Sequence, residues 1–221
     1  CDPDIETKLR EHKKFPNVRG VRNMLYWDGD PLRQAAARPD LCNTPAFRRG
    51  FTSIAKLGMH FELQVFAPQA PFVLELLKAF PDTRMILVHA GMLADRSPRG
   101  IDQWRAALTP ASAPATAACA TSIAACAAST SFSAGGVSSL ASCCVAIFTN
   151  GVPARQVRRV IRDSIQIFGI ERTIYGSNFP LEKLAASYRD FLAPYREALS
   201  EYPEADQRKV FHDNAVAFYR L

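Results

Sequence analysis

Two hydrophobic periods alternate along most of the chain. Short apolar runs of the strand type are "VRGVRNML" (residues 18–25), "HFELQVF" (60–66), "RMILVHA" (84–90) and "RTIYG" (172–176). Between them lie stretches whose apolar residues recur every three or four positions, the helical spacing. One starts at Thr44 and Pro45, runs through Phe47, Phe51, Ile54 and Ala55, and stops at Gly58. A capping Thr, a Pro at the first helical position and a Gly past the end are start and stop signals. A second carries Phe72, Leu76, Leu77 and Phe80 and stops at Pro81. A third, "QVRRVIRDSIQIFG" (156–169), puts Val157, Val160, Ile161, Ser164 and Phe168 on one face. Two closing helices are predicted over 184–199 and 205–219.

Strands separated by helical patterns predict βαβ units and a parallel sheet. The run at 84–90 is apolar without alternation, as expected of a strand covered on both faces. In such sheets chemistry gathers at the C-terminal ends of the strands. Arg22, Gln64, His89 and Asn178 all lie late in, or just past, a predicted strand. The last is the most conspicuous, because a core strand there turns abruptly into the small polar cluster Gly176, Ser177, Asn178.

One segment breaks the rhythm. Residues 106–154 contain no charged side chain, and 29 of the 38 residues from Thr109 to Ala146 are Ala, Ser, Thr or Cys, with no period of 2 or 3.6. Those residues are poor drivers of membrane insertion, so a spanning helix is not expected. The composition is that of a GC-rich gene read out of frame, and a natural linker seldom concentrates Cys. Elsewhere the chain is ordinary for a globular protein, with 48% hydrophobic and 22% charged residues and a net charge of +6. Arg155, Arg158, Arg159 and Arg162 make a basic helix face opposite the apolar stripe, which reads as a solvated side, and nucleic acid is not an expected partner. The six cysteines show no zinc-site spacing, the opening "CDPDIETKLREHKK" has no leader pattern, and a reducing, cytoplasmic setting is expected. There is no Gly-rich phosphate loop and no Gly-x-Ser-x-Gly elbow.

Four stretches, "RPDLCNTPAFRRGFTSIAKLGMHFELQVFAPQ", "FPDTRMILVHAGMLADRSPRGIDQWRAAL", "GIERTIYGSNFPLEKL" and "FHDNAVAFYRL", occur in the order and spacing of a known family. They resemble the amidohydrolase-related (amidohydrolase family 2) TIM-barrel hydrolases, in the branch of sugar-acid lactonases and pyrone-dicarboxylate lactonase. The resemblance covers residues 1–108 and 147–221 and implies one (β/α)8 barrel domain over 1–221. Such a barrel takes about 250 residues. The strands here correspond to the third, fourth and fifth, a disrupted sixth within 109–146, and the last catalytic strand. The first two strands, and the His-x-His that ends the family's first strand, are not in the chain. An open sheet with two unpaired edges is therefore expected.

The resemblance implies that His89 binds a metal or polarises the substrate carbonyl. It matches Asn178 to the position where most of the superfamily has the Asp that moves the proton of the attacking water. A carboxamide does not titrate near neutrality, so Asn178 would orient water or donate to an oxyanion. Arg22 is placed to clamp a substrate carboxylate, and Gln64 to hydrogen-bond substrate; an inner-barrel salt bridge or polar layer is the alternative for each. Trp27, with Tyr26, forms a pocket wall or packs. His60 lies at the barrel bottom as a structural residue. The implied reaction is hydrolysis of a lactone or related cyclic ester of a small carboxylated substrate, with decarboxylation or an inactive remnant as alternatives. The implied cofactor is one divalent, zinc-like ion or none, since His89 alone falls short of the three protein ligands a catalytic metal takes.

Overall fold

Side chains that complete the backbone's hydrogen bonds set where helices begin. Thr44 Oγ1 accepts from Phe47 N at 3.3 Å and Ser97 Oγ from Gly100 N at 3.1 Å, each with Pro as the next residue. Ser187 Oγ accepts from Asp190 N at 3.2 Å. These caps satisfy donors that have no partner inside a helix.

The computed structural model describes residues 2–109, 140–143, 154–180, 183 and 186–221. Its strands are β1 (Gly20–Met24), β2 (His60–Gln64), β3 (Met85–Val88), β4 (Leu140–Cys143) and β5 (Thr173–Ile174). The helices are α1 (Ile5–Lys13), α2 (Pro45–Lys56), α3 (Ala70–Ala79), α4 (Pro98–Leu108), α5 (Ala154–Phe168), α6 (Tyr188–Leu199), α7 (Glu204–Arg208) and α8 (Asn214–Tyr219). The five strands form one parallel sheet in the order β1-β2-β3-β4-β5. Among the described residues the sheet is open, with β1 and β5 at its edges, as the sequence led us to expect.

Alternation along each strand separates two faces. Phe61, Leu63, Met85 and Leu87 join one large core with Phe51 and Ile54 of α2, Leu76 of α3, Trp104 of α4 and Val160 of α5. Ile86, Val88 and Ile174 point the other way, into a small core closed by Phe218 of α8. β3 is thus buried on both faces, but C-terminal residues rather than opposing strands cover its inner side.

Several expectations need correcting. The sixth strand is not wholly disrupted: residues 140–143 form β4, in register from Met85↔Leu140 to Val88↔Cys143. The rest of the Ala/Ser/Thr/Cys-rich stretch, 110–139 and 144–146, lies outside the described residues. The helix expected over 205–219 is continuous from Glu204 to Tyr219, but its middle, Lys209–Asp213, is a wide turn of π type between α7 and α8. Two helices, α1 and α4, add to the expected elements. α4 carries clear signals, a Ser-Pro start and Ile101, Trp104 and Leu108 on its buried side. α1 buries only Leu9 and has no comparable apolar stripe.

Candidate functional site

Four strand ends or strand middles supply the residues. Arg22 is the middle residue of β1 and lies in register with Glu62 of β2. Its Nε donates to Glu62 Oε2 at 2.5 Å. Glu62 is 8% exposed and also accepts from the Tyr219 hydroxyl of α8 at 2.9 Å, with the buried His60 ring 3.7 Å away. Burial pushes the Glu62 carboxyl up, but the His60 and Arg22 hydrogen bonds, the Arg22 charge and the Tyr219 hydroxyl outweigh it and hold it at about 2. A buried charge needs such company. The inner salt bridge expected as the alternative for Arg22 is present. Glu62 escaped the sequence reading because a single Glu in "HFELQVF" resembles the polar position of any alternating strand.

His89 follows β3 directly and begins a turn of three left-handed residues, His89 (φ 56°), Ala90 (φ 51°) and Gly91 (φ 67°). Only the third is glycine, and non-glycine residues in this region cost about 1 kcal/mol or more each. The turn is held from outside: Trp104 Nε1 of α4 donates to the Ala90 carbonyl at 2.9 Å in a buried bond. His89 is half-buried, and its Nδ1 has no hydrogen-bond partner among the described residues. Burial, reinforced by the Arg22 charge and only partly opposed by Glu62, pushes the imidazole down to about 4. It is therefore neutral at pH 7, which suits a ligand or hydrogen-bonding role and not a cationic one.

Asn178 lies four residues past β5 and is also left-handed, with φ 53°. Asn tolerates this region better than most residues. Next to it, Ser177 Oγ accepts from Phe179 N at 3.2 Å, and the Phe179 ring sits edge-on to Tyr188. The stem below is tied to the C-terminal residues: Tyr175 N donates to Val210 O at 2.8 Å, and Asn214 Nδ2 donates to Thr173 O at 2.8 Å.

His89 and Asn178 thus follow strands separated by one neighbour, roughly 10 Å apart by interstrand spacing. Arg22 acts on His89 through its charge. Gln64 closes β2, level with Met24 and half-buried, on the face that Glu62 occupies. Trp27 is half-buried in the loop after β1, and its neighbour Tyr26 meets Phe66 edge-on at 5.7 Å. Among the described residues no three His, Cys, Asp or Glu side chains converge as a metal site. Among the described residues His89 is not joined by two further such ligands, so these residues by themselves do not fit a metal.

The chain has relatives among known proteins. The protein y4mH of Sinorhizobium fredii is 29% identical over 99% of this chain and 66% of its own length. L-fucono-1,5-lactonase of Burkholderia ambifaria is 24% identical over 99% of this chain and 67% of its own. The chain spans about two thirds of these curated relatives. The crystal structure of an amidohydrolase from Burkholderia multivorans with bound zinc superposes with a TM-score of 0.73 at 19% identity, covering 100% of this chain and 70% of that one. At that identity the likeness speaks for the fold. No described helix is long and apolar enough to cross a membrane. Matched by the family's model across residues 1–221, the chain belongs to the amidohydrolase family.

Proposed function

We propose that this chain carries the carbonyl-binding side of a hydrolase that opens a lactone, or a related cyclic ester, of a small carboxylated substrate. The observation that carries the reading is the pair His89 and Asn178. Both stand just past the C-terminal end of a parallel strand, and both are held in left-handed backbone. Strain of this kind persists where the surroundings over-determine it, and it clusters at working sites. The likeness to a lactonase supports the choice of a cyclic ester.

In this reading the neutral His89 ring hydrogen-bonds the reacting carbonyl group or its water. Asn178 orients the attacking water or donates to the developing oxyanion, a role open to a group that does not titrate. Arg22, fixed from behind by Glu62, supplies the positive field for a substrate carboxylate. A divalent ion, were one bound, would take His89 as one ligand and need others that do not stand beside it among the described residues. It would supply Lewis-acid polarisation of the carbonyl.

The test is a panel of sugar 1,5-lactones and pyrone dicarboxylates, followed in parallel for ring opening by acid release and for CO2. Ring opening without CO2, lowered about 100-fold or more by His89→Ala, supports the reading. CO2 release without ring opening replaces it with a decarboxylase. A folded chain that does neither overturns it for this chain.

A further inference from the structure

β1 and β2 continue their ladder one step past the strands, where Leu25 N donates to Gln64 O at 2.8 Å. Beyond that point the two segments part, and backbone groups lose their ladder partners. Gln69, 3% exposed at the end of the short turn Ala67–Gln69, meets three of them and one carbonyl of the loop before α2. Its Oε1 accepts from Trp27 N at 2.9 Å and from Phe66 N at 3.1 Å. Its Nε2 donates to Leu25 O and to Pro39 O, each at 2.9 Å. A primary carboxamide offers two donors and an oxygen with two lone pairs, so every bond it can make is made. The side chain acts as an added peptide unit, joining the segment after β1, the end of β2 and the loop that leads back toward α2.

We infer that Gln69 is a positioning residue: it holds the Tyr26–Trp27 segment in register with the end of β2 and so fixes that wall of the candidate pocket. The inference rests on the reading that the strand ends form the substrate site. Glu would put a carboxylate against two carbonyl oxygens. Asn is one methylene too short to span the same groups. Leu would leave all four backbone groups without this partner, two of them, Phe66 N and Leu25 O, in buried surroundings.

The experiment compares the intact chain with Gln69→Leu and Gln69→Glu, by residue-resolved amide exchange and by lactone kinetics. In Gln69→Leu, exchange at Trp27 and Phe66 should speed up about tenfold or more, with Leu63 and Ile86 unchanged. In Gln69→Glu, which keeps an oxygen at the accepting position, the acceleration at those two amides should be smaller. For any lactone the wild type opens, KM should rise about tenfold in Gln69→Leu with kcat within about threefold. Unchanged exchange at Trp27 and Phe66 overturns the inference. So does acceleration spread equally over β2 and β3, equal acceleration in the two variants, or altered exchange with an unaltered KM. If the wild type opens no lactone, the hydrolase reading fails by itself, and the exchange pattern alone decides whether Gln69 holds the segment.

Discussion

Glu62 acts on His89 through its charge, and the two titrate in adjoining windows. Glu62 sits at about 2 against an ordinary 4.5, so the unfolded chain takes up its proton first. Stability is lost as pH falls from about 4.5 to about 2, on the order of 3 kcal/mol in all. His89 sits at about 4 against 6.5, and here too the unfolded state binds the proton first. Its share of stability is full above 6.5 and falls as pH drops toward about 4. Urea titrations across pH should show both slopes. Glu62→Gln should flatten the lower one and His89→Gln the upper. Trp104 acts on His89 at one remove. Trp104→Phe keeps most of the ring but loses the bond to Ala90, which should cost about 1–3 kcal/mol and raise the exchange rate of the amides of 89–91 above that of β3.

Single helices and strands give sharper tests of how local sequence becomes local structure. Thr44→Ala removes the cap of α2 and should lower stability by about 1 kcal/mol, read as a fall in the urea midpoint at unchanged slope. Gly20 opens β1 because a Cβ there would run into the His60 ring beside it. Gly20→Ala should therefore displace His60 and destabilise by about 1–3 kcal/mol, visible as a shifted His60 ring resonance. The predicted starts of α2 and α5 lay within two residues of the observed ones, because caps and apolar stripes are written locally. The closing helix is continuous as its pattern predicts, but nothing local marks the wide π turn inside it at Lys209–Asp213. That turn offers Val210 O to Tyr175 N and packs Phe211 on the Tyr175 ring, which are tertiary contacts.

For the molecule as a whole, the C-terminal residues are the inner wall of the sheet. Phe218 closes the small core over Ile86, Val88 and Ile174, and Tyr219 reaches Glu62. Tyr219→Phe should leave Glu62 one bond poorer and cost about 1–3 kcal/mol, while raising the pH at which acid unfolding begins. Much of this architecture was legible beforehand. Hydrophobic period, caps and breakers depend on neighbours within a few residues, so the strand–helix rhythm, the parallel sheet and the strand-end positions of His89 and Asn178 follow from the sequence by itself. The sequence also determined the family, through motifs whose spacing needs no coordinates. Other features depend on groups far apart in the chain, and only the tertiary structure decided them. Arg22 is committed to Glu62 forty residues on. Gln69 gathers four backbone groups from three segments, and a turn of left-handed residues is braced by an indole from the next helix. Each is a hydrogen bond whose partner is set by where the chain returns, and no local pattern of residues encodes that.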